Sequence, residues 1–153
     1  KLVPKTIKDY RLTVSNGGNV VGTETFKVRR IPAPSIEAYI GNRRINLKNG
    51  MAAKTARIDV KAIADESFQK FLPKDANFQV QQGTVTLVRA GNGIKTIQLK
   101  GPRVNLAAIA AGARKGDNLV IEIKRVVRAN YKKEIEDFNN IPSTSKVITI
   151  PLR

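Results

Sequence analysis

Two closely spaced prolines, Pro32 and Pro34, end a strand-like run that begins at Phe26. Proline fixes its own φ angle and pushes the preceding residue toward extended conformations, so this segment should be a stiff connector that is not helical. We therefore predict a joint at residues 32–34. It separates an N-terminal unit, residues 1–31, from a larger unit, residues 35–153.

The N-terminal unit has the pattern of a β-hairpin. Residues 7–14 alternate between polar and apolar side chains, residues 15–19 are of types that tolerate positive φ, and residues 20–31 form the returning strand. A two-stranded hairpin alone is only marginally stable in water. We therefore expect residues 1–31 to complete a preceding domain or to pack on a partner protomer.

Residues 35–153 have the pattern of an antiparallel β-sandwich. Short alternating runs are separated by turn residues at intervals of about 8–12 residues, which is typical of all-β domains. The clearest pair is a hairpin of residues 78–89 and 94–100, in which the alternation changes phase near Gln82 and Gly83. That change predicts a β-bulge. We expect a mainly β, Ig-like sandwich.

The remaining segments of the larger unit are less regular. Residues 106–113 are rich in alanine and predict one short helix, whereas residues 65–75 fit a single helical turn or a packed loop. Residues 119–128 form the most apolar strand. Its one side is expected to carry Leu119, Ile121, Ile123 and Val127, and its opposite, outer side Val120, Glu122, Lys124, Val126 and Arg128. Residues 130–145 are polar and predict a long exposed loop before a last strand at residues 147–150.

The chain is strongly basic, with 28 Lys and Arg residues against 12 Asp and Glu residues, a formal charge of +16. Such a surface favours polyanions or acidic proteins as partners. Several of these cations occur in pairs. Each pair could bind an acidic partner, or it could simply belong to a solvated strand face. The candidate contributors to an acidic partner's binding surface are Arg43, Arg44, Lys124, Arg125 and Arg128.

The residues offer little for catalysis. The chain contains no cysteine and no histidine, which removes disulfides, thiol nucleophiles, the usual zinc ligands and the commonest general base. The carboxylate pairs, such as Asp65 and Glu66, lie in polar loops. We predict a protein that is not an enzyme and holds neither cofactor nor metal.

The charge leaves one alternative function, a basic β-rich nucleic-acid-binding module. Neutralising phosphates is a common use of such an excess of cations. Single-strand binders, however, interleave their cations with aromatic side chains, and few aromatic residues lie near the basic pairs here. Nucleic acid is therefore not the expected partner.

Residues 10–19 (YRLTVSNGGN) and 25–34 (TFKVRRIPAP) resemble the segment that leads into the last domain of the GldM/PorM family. The resemblance continues through Ile40-Gly41, Asn92-Gly93 and residues 114–117 in the family's order. The resemblance covers nearly the whole chain. No single one of these short motifs identifies the family, but their combination in this order does so fairly specifically.

The resemblance implies a C-terminal periplasmic piece of a core component of the bacterial type IX secretion and gliding-motility machinery. Family members form homodimers anchored in the inner membrane by an N-terminal helix, through which they meet GldL/PorL. Their periplasmic domains reach a ring of GldK/PorK and GldN/PorN near the outer membrane and transmit force to it. No run of roughly 20 apolar residues occurs here, so we expect a piece of a longer protein whose targeting segment lies upstream.

Overall fold

The computed structural model describes residues 8–153, and the chain divides into two compact units, residues 1–31 and 32–153. The first seven residues, including the predicted strand start at Ile7, lie outside the described residues. Pro32 and Pro34 of the predicted joint belong to the larger unit.

The described part of the first unit is an antiparallel hairpin of β1 (Tyr10–Asn16) and β2 (Asn19–Phe26). Gly17 and Gly18 form its turn, both with positive φ, as a two-residue hairpin loop requires. The hairpin was predicted, but the second strand ends at Phe26 and does not continue to residue 31.

The larger unit contains nine strands and two short α-helices. The strands are β3 (Ser35–Ile40), β4 (Arg43–Arg44), β5 (Arg57–Ile63), β6 (Asn77–Arg89), β7 (Asn92–Lys100), β8 (Arg103–Asn105), β9 (Asn118–Ala129), β10 (Ile135–Asp137) and β11 (Val147–Pro151). The helices are α1 (Glu66–Phe71) and α2 (Ala107–Ala110), and a 3₁₀ turn covers Ser143–Lys146.

These strands form two antiparallel sheets. One has the order β4-β3-β5-β8, and the other has the order β10-β9-β6-β7. β11 also pairs with β9, beside residues 118–122, while β10 pairs with residues 127–129. The predicted fold class, a mainly β antiparallel sandwich preceded by a hairpin, is confirmed.

The core follows the alternation of the strands. Side chains on one face of each sheet are buried. The largest fully buried side chains are those of Ile58, Val60, Val80, Val85, Leu87, Leu99, Leu119, Ile121 and Ile150 on the strands, together with Pro34, Leu106 and Ile109 outside them. The register between β6 and β9 shifts between Val80 and Gly83. The predicted bulge is therefore confirmed, and it keeps both halves of β6 facing the core.

Two segments contain regular structure that the sequence left open or did not predict. Residues 65–75, where a single helical turn or a packed loop was expected, contain the short helix α1, which is capped by the Asp65 side chain accepting a 3.0 Å hydrogen bond from the Phe68 backbone amide. The predicted long loop of residues 130–145 contains β10 and the 3₁₀ turn. In β10, Glu136 lies directly opposite Arg128 of β9, and Asp137 accepts a hydrogen bond from Arg125 of β9.

Candidate docking surfaces

Arg43 and Arg44 lie on β4 and are both exposed. The Arg44 Nη2 atom lies 3.2 Å from Glu37 Oε1 on the neighbouring strand. The Tyr39 hydroxyl donates a 2.6 Å hydrogen bond to the other oxygen of Glu37, which raises the pKa of Tyr39. Arg44 thus has an ion-pair partner, whereas Arg43 forms no ion pair with any described residue.

Lys124 and Arg125 lie on β9, in the other sheet. Arg125 Nε donates to Asp137 Oδ1 at 2.6 Å, and both side chains are about half exposed, so this pair adds little to stability. Lys124 is exposed and has no ion-pair partner among residues 8–153. Both cations remain accessible to an acidic partner.

Arg128 does not share the exposure of the other four cations. Its side chain is 8% exposed, and its guanidinium donates to Glu136 Oε1 and, at 3.1 Å, to the Asp75 carbonyl oxygen. Arg128 therefore links β9, β10 and the segment after α1. We remove it from the candidate partner surface.

The expectation that Val126 and Arg128 lie on the outer face of β9 is wrong. The bulge shifts the register of β9 as well as that of β6, so Val126 faces Val80 and Arg128 faces Phe78. Directly opposed residues of antiparallel strands point to the same side of the sheet. Because Phe78 and Val80 are buried, the side chains opposite them are buried too.

The structure adds a third arginine to the first pair. Arg43, Arg44 and Arg153 line one cavity of about 580 Å³, together with Asn46 and Asn49. Sequence reasoning missed Arg153 because its position at the far end of the chain gives no signal of its proximity to β4. The four exposed candidates thus fall on two different sheets, and the pair on β4 gains a neighbour.

The hairpin carries a second candidate surface. Tyr10 lies opposite Phe26 and Leu12 lies opposite Glu24, which places these side chains on one face with Val14. Leu12 is 43% exposed and Phe26 is 52% exposed. A cleft of about 600 Å³ opens among Tyr10, Leu12, Phe26 and their neighbours. Uncovered apolar side chains of this size are typical of interaction surfaces.

The joint residues differ in their burial. Pro34 is fully buried within the larger unit, whereas Pro32 is partly exposed. Residues 27–34 form no regular secondary structure. The second proline is therefore fixed by packing as well as by its ring, and the chain enters β3 in a defined direction.

The family described as the GldM C-terminal domain matches residues 32–153. The chain belongs to this family. The match begins at Pro32 and covers the whole sandwich. Comparisons with curated proteins and with solved structures find no match.

Within residues 8–153 of this GldM family member, no helix has the length and apolar character to cross a membrane. The same residues contain no group of three or more His, Cys, Asp or Glu side chains that could hold a metal ion.

The GldM domain also contains a partly buried ion pair that sequence reasoning missed. Arg89 donates to both oxygens of Asp117, at 2.7 and 2.8 Å, and the Arg114 backbone amide donates to the same carboxylate at 2.8 Å. Asp117 is 3% exposed. The hydrogen bond from Arg89 lowers the pKa of Asp117 to about 2.

Asp117→Asn is expected to lower the Tm of the GldM domain at pH 7 by about 2–4 °C, because Arg89 loses its charged partner while its partly exposed guanidinium can be solvated. A carboxylate whose pKa is lower in the folded state stabilises the fold above its ordinary pKa of 3.8, and this contribution disappears as the pH falls to about 2. The difference between wild type and variant should therefore shrink from pH 4 to pH 2 in thermal melts.

Glu66→Gln is the matched control for this experiment. Glu66 pairs with Lys70 at 2.6 Å on an exposed helix face, where an ion pair contributes little. Its variant should follow the wild-type Tm across the same pH range. Equal losses in the two variants would contradict a special role for Asp117.

Proposed function

We propose that this GldM family member is a structural, non-catalytic link in the periplasm that transmits force from an inner-membrane motor to an outer-membrane-associated ring. The family is a structural component of the gliding-motility and type IX secretion machinery and is not an enzyme family. The observation that carries the proposal is the family match over residues 32–153.

The joint supports a role in transmitting force. A linker that passes motion between two units works best when it has few accessible backbone conformations, and each proline removes some of them. Pro34 is in addition anchored by burial in the sandwich. Motion of whatever lies before residue 32 would then be passed to the larger unit with little loss in the linker.

The partners follow from the same proposal. The hairpin of residues 1–31 packs on a preceding domain or on the second protomer of a homodimer, because its apolar face is otherwise left in water. Arg43, Arg44, Lys124 and Arg125 face acidic surfaces of the GldK/PorK and GldN/PorN ring. Contact with GldL/PorL is made through an N-terminal part of the protein.

Replacing both Pro32 and Pro34 with glycine is expected to reduce type IX secretion severalfold while both units stay folded, because the linker becomes flexible. Secretion of a reporter cargo in cells is the measurement. Pro34 is buried, so its change also costs about 1–3 kcal/mol of packing. Pro32→Gly alone is therefore the cleaner variant.

Pro73→Gly provides the control for the joint. Pro73 follows α1 on the surface of the larger unit, outside the linker. Its replacement should leave secretion unchanged. Full secretion with the double glycine joint, at normal protein levels, would refute the force-transmission proposal.

A further inference from the structure

Three arginines near β4, the edge strand of the first sheet, line a single cavity. Arg43 and Arg44 come from β4, and Arg153 comes from the segment after β11. We propose that this cavity is a carboxylate-binding site that takes side chains of an acidic peptide segment. The inference rests on the proposed function, in which basic surfaces of the domain dock on acidic partners. It assigns the acidic partner's side chains to this cavity.

The floor of the cavity is a loop fixed by its own hydrogen bonds. The Asn46 side chain accepts from the backbone amides of Lys48 and Asn49, at 2.9 and 3.2 Å. Met51 is buried, donates its amide to the Pro151 carbonyl at 3.0 Å and accepts from the Arg153 amide at 2.9 Å. The backbone that carries Arg153 is thereby fastened to the loop beside β4.

The charge of the cavity is positive and incompletely balanced. None of the side chains that line it is acidic. Glu37 is not among the lining residues, and its Oε1 atom lies 3.2 Å from Arg44 Nη2, so one of the three guanidiniums already has an ion-pair partner. Arg43 and Arg153 have no ion-pair partner in the described part of the chain, so at least two guanidiniums are available to an anion.

The chemistry of the walls favours carboxylates over nucleic acid. A guanidinium presents planar pairs of N–H donors that match the two oxygens of a carboxylate. Phosphate groups also fit this geometry, but single-stranded nucleic acid binds where aromatic side chains stack on its bases. The cavity has no aromatic residue in its lining. A short acidic peptide is therefore the better occupant.

The test measures binding of a fluorescein-labelled hexaglutamate peptide to the full chain by fluorescence anisotropy at low salt. The pocket variant combines Arg43→Gln, Arg44→Gln and Arg153→Gln. The control variant combines Lys74→Gln, Lys95→Gln and Lys132→Gln, which removes the same charge from exposed positions outside the cavity. Thermal melts verify that both variants are folded, as expected for exposed side chains.

We expect the pocket variant to bind the peptide about tenfold more weakly, since each of three lost pairs contributes a fraction of a kcal/mol or more. The control should lose less than about twofold. Hexaglutamine, which lacks the charge, should not bind wild type. Ring docking and secretion are measured in separate experiments. A cavity that does not bind the peptide can therefore be distinguished from a failure of the proposed function.

Three results would overturn the assignment. Equal weakening in the two variants would show that only net charge acts. Absence of hexaglutamate binding to wild type would show that the cavity takes no acidic peptide. Tighter binding of a six-nucleotide single-stranded DNA, lost in the pocket variant alone, would make the occupant a phosphate backbone instead.

Discussion

Gly83→Ala is expected to destabilise the sandwich by about 3 kcal/mol, at the upper end of what overpacking usually costs. Gly83 lies at the bulge of β6, and a Cβ atom there would stand 2.4 Å from the Glu122 carbonyl oxygen on β9. Both groups belong to the backbones of paired strands, so neither can rotate away. The strands must separate or the bulge must shift.

Gly50→Ala is expected to cost at least as much. Its Cβ atom would lie 2.0 Å from the Pro151 carbonyl oxygen, and its φ of +67° disfavours any residue with a side chain. The replacement would push the loop away from the end of β11, where Met51 pairs with Leu152. Urea unfolding of the variants, compared at equal m-values, measures both losses.

Two further glycines serve as controls that separate the causes. Gly91 has a φ of +82° but open space around it, so its alanine variant should lose only about 1 kcal/mol. Gly112 has neither a positive φ nor a close neighbour, and Gly112→Ala should be nearly neutral or slightly stabilising. Four equal losses would contradict the close-approach argument.

The alternation of side chains was enough to predict the sandwich and its bulge. On β6 the apolar positions change from even to odd around Gly83, and only an irregular residue can keep both sets buried. The same change was not visible on β9, because Val126 and Val127 are both apolar and either could face the core. The burial of Arg128 could therefore be recognised only from the strand pairing in the structure, which places Arg128 opposite Phe78.

Polar segments were harder to predict. β10 consists of Ile135, Glu136 and Asp137, which has no apolar alternation to identify it as a strand. Its carboxylates form ion pairs with Arg125 and Arg128 of β9, and Glu136 lies directly opposite Arg128. Contacts of this kind join distant segments, as does the cavity that brings Arg153 to Arg43. Such juxtapositions arise from the fold and leave no local pattern.

The second large effect is expected on the hairpin face. Leu12→Glu with Phe26→Glu should weaken association of the full chain into dimers by about a hundredfold or more, because burying each apolar side chain contributes about 1.5–3 kcal/mol. Multi-angle light scattering across a concentration series measures the change. The Tm of the larger unit should not move, since the hairpin forms a separate compact unit.

The opposite face of the same hairpin supplies the control. Thr13→Glu with Thr25→Glu introduces equal charge on the same two strands, but on the side away from Leu12 and Phe26. A general loss of hairpin stability would weaken dimerisation equally in both double variants. Only a partner that covers the apolar face predicts weaker dimerisation of the Leu12→Glu and Phe26→Glu variant alone. A wild-type chain that stays strictly monomeric across the concentration series would contradict the proposed packing of the hairpin on a second protomer.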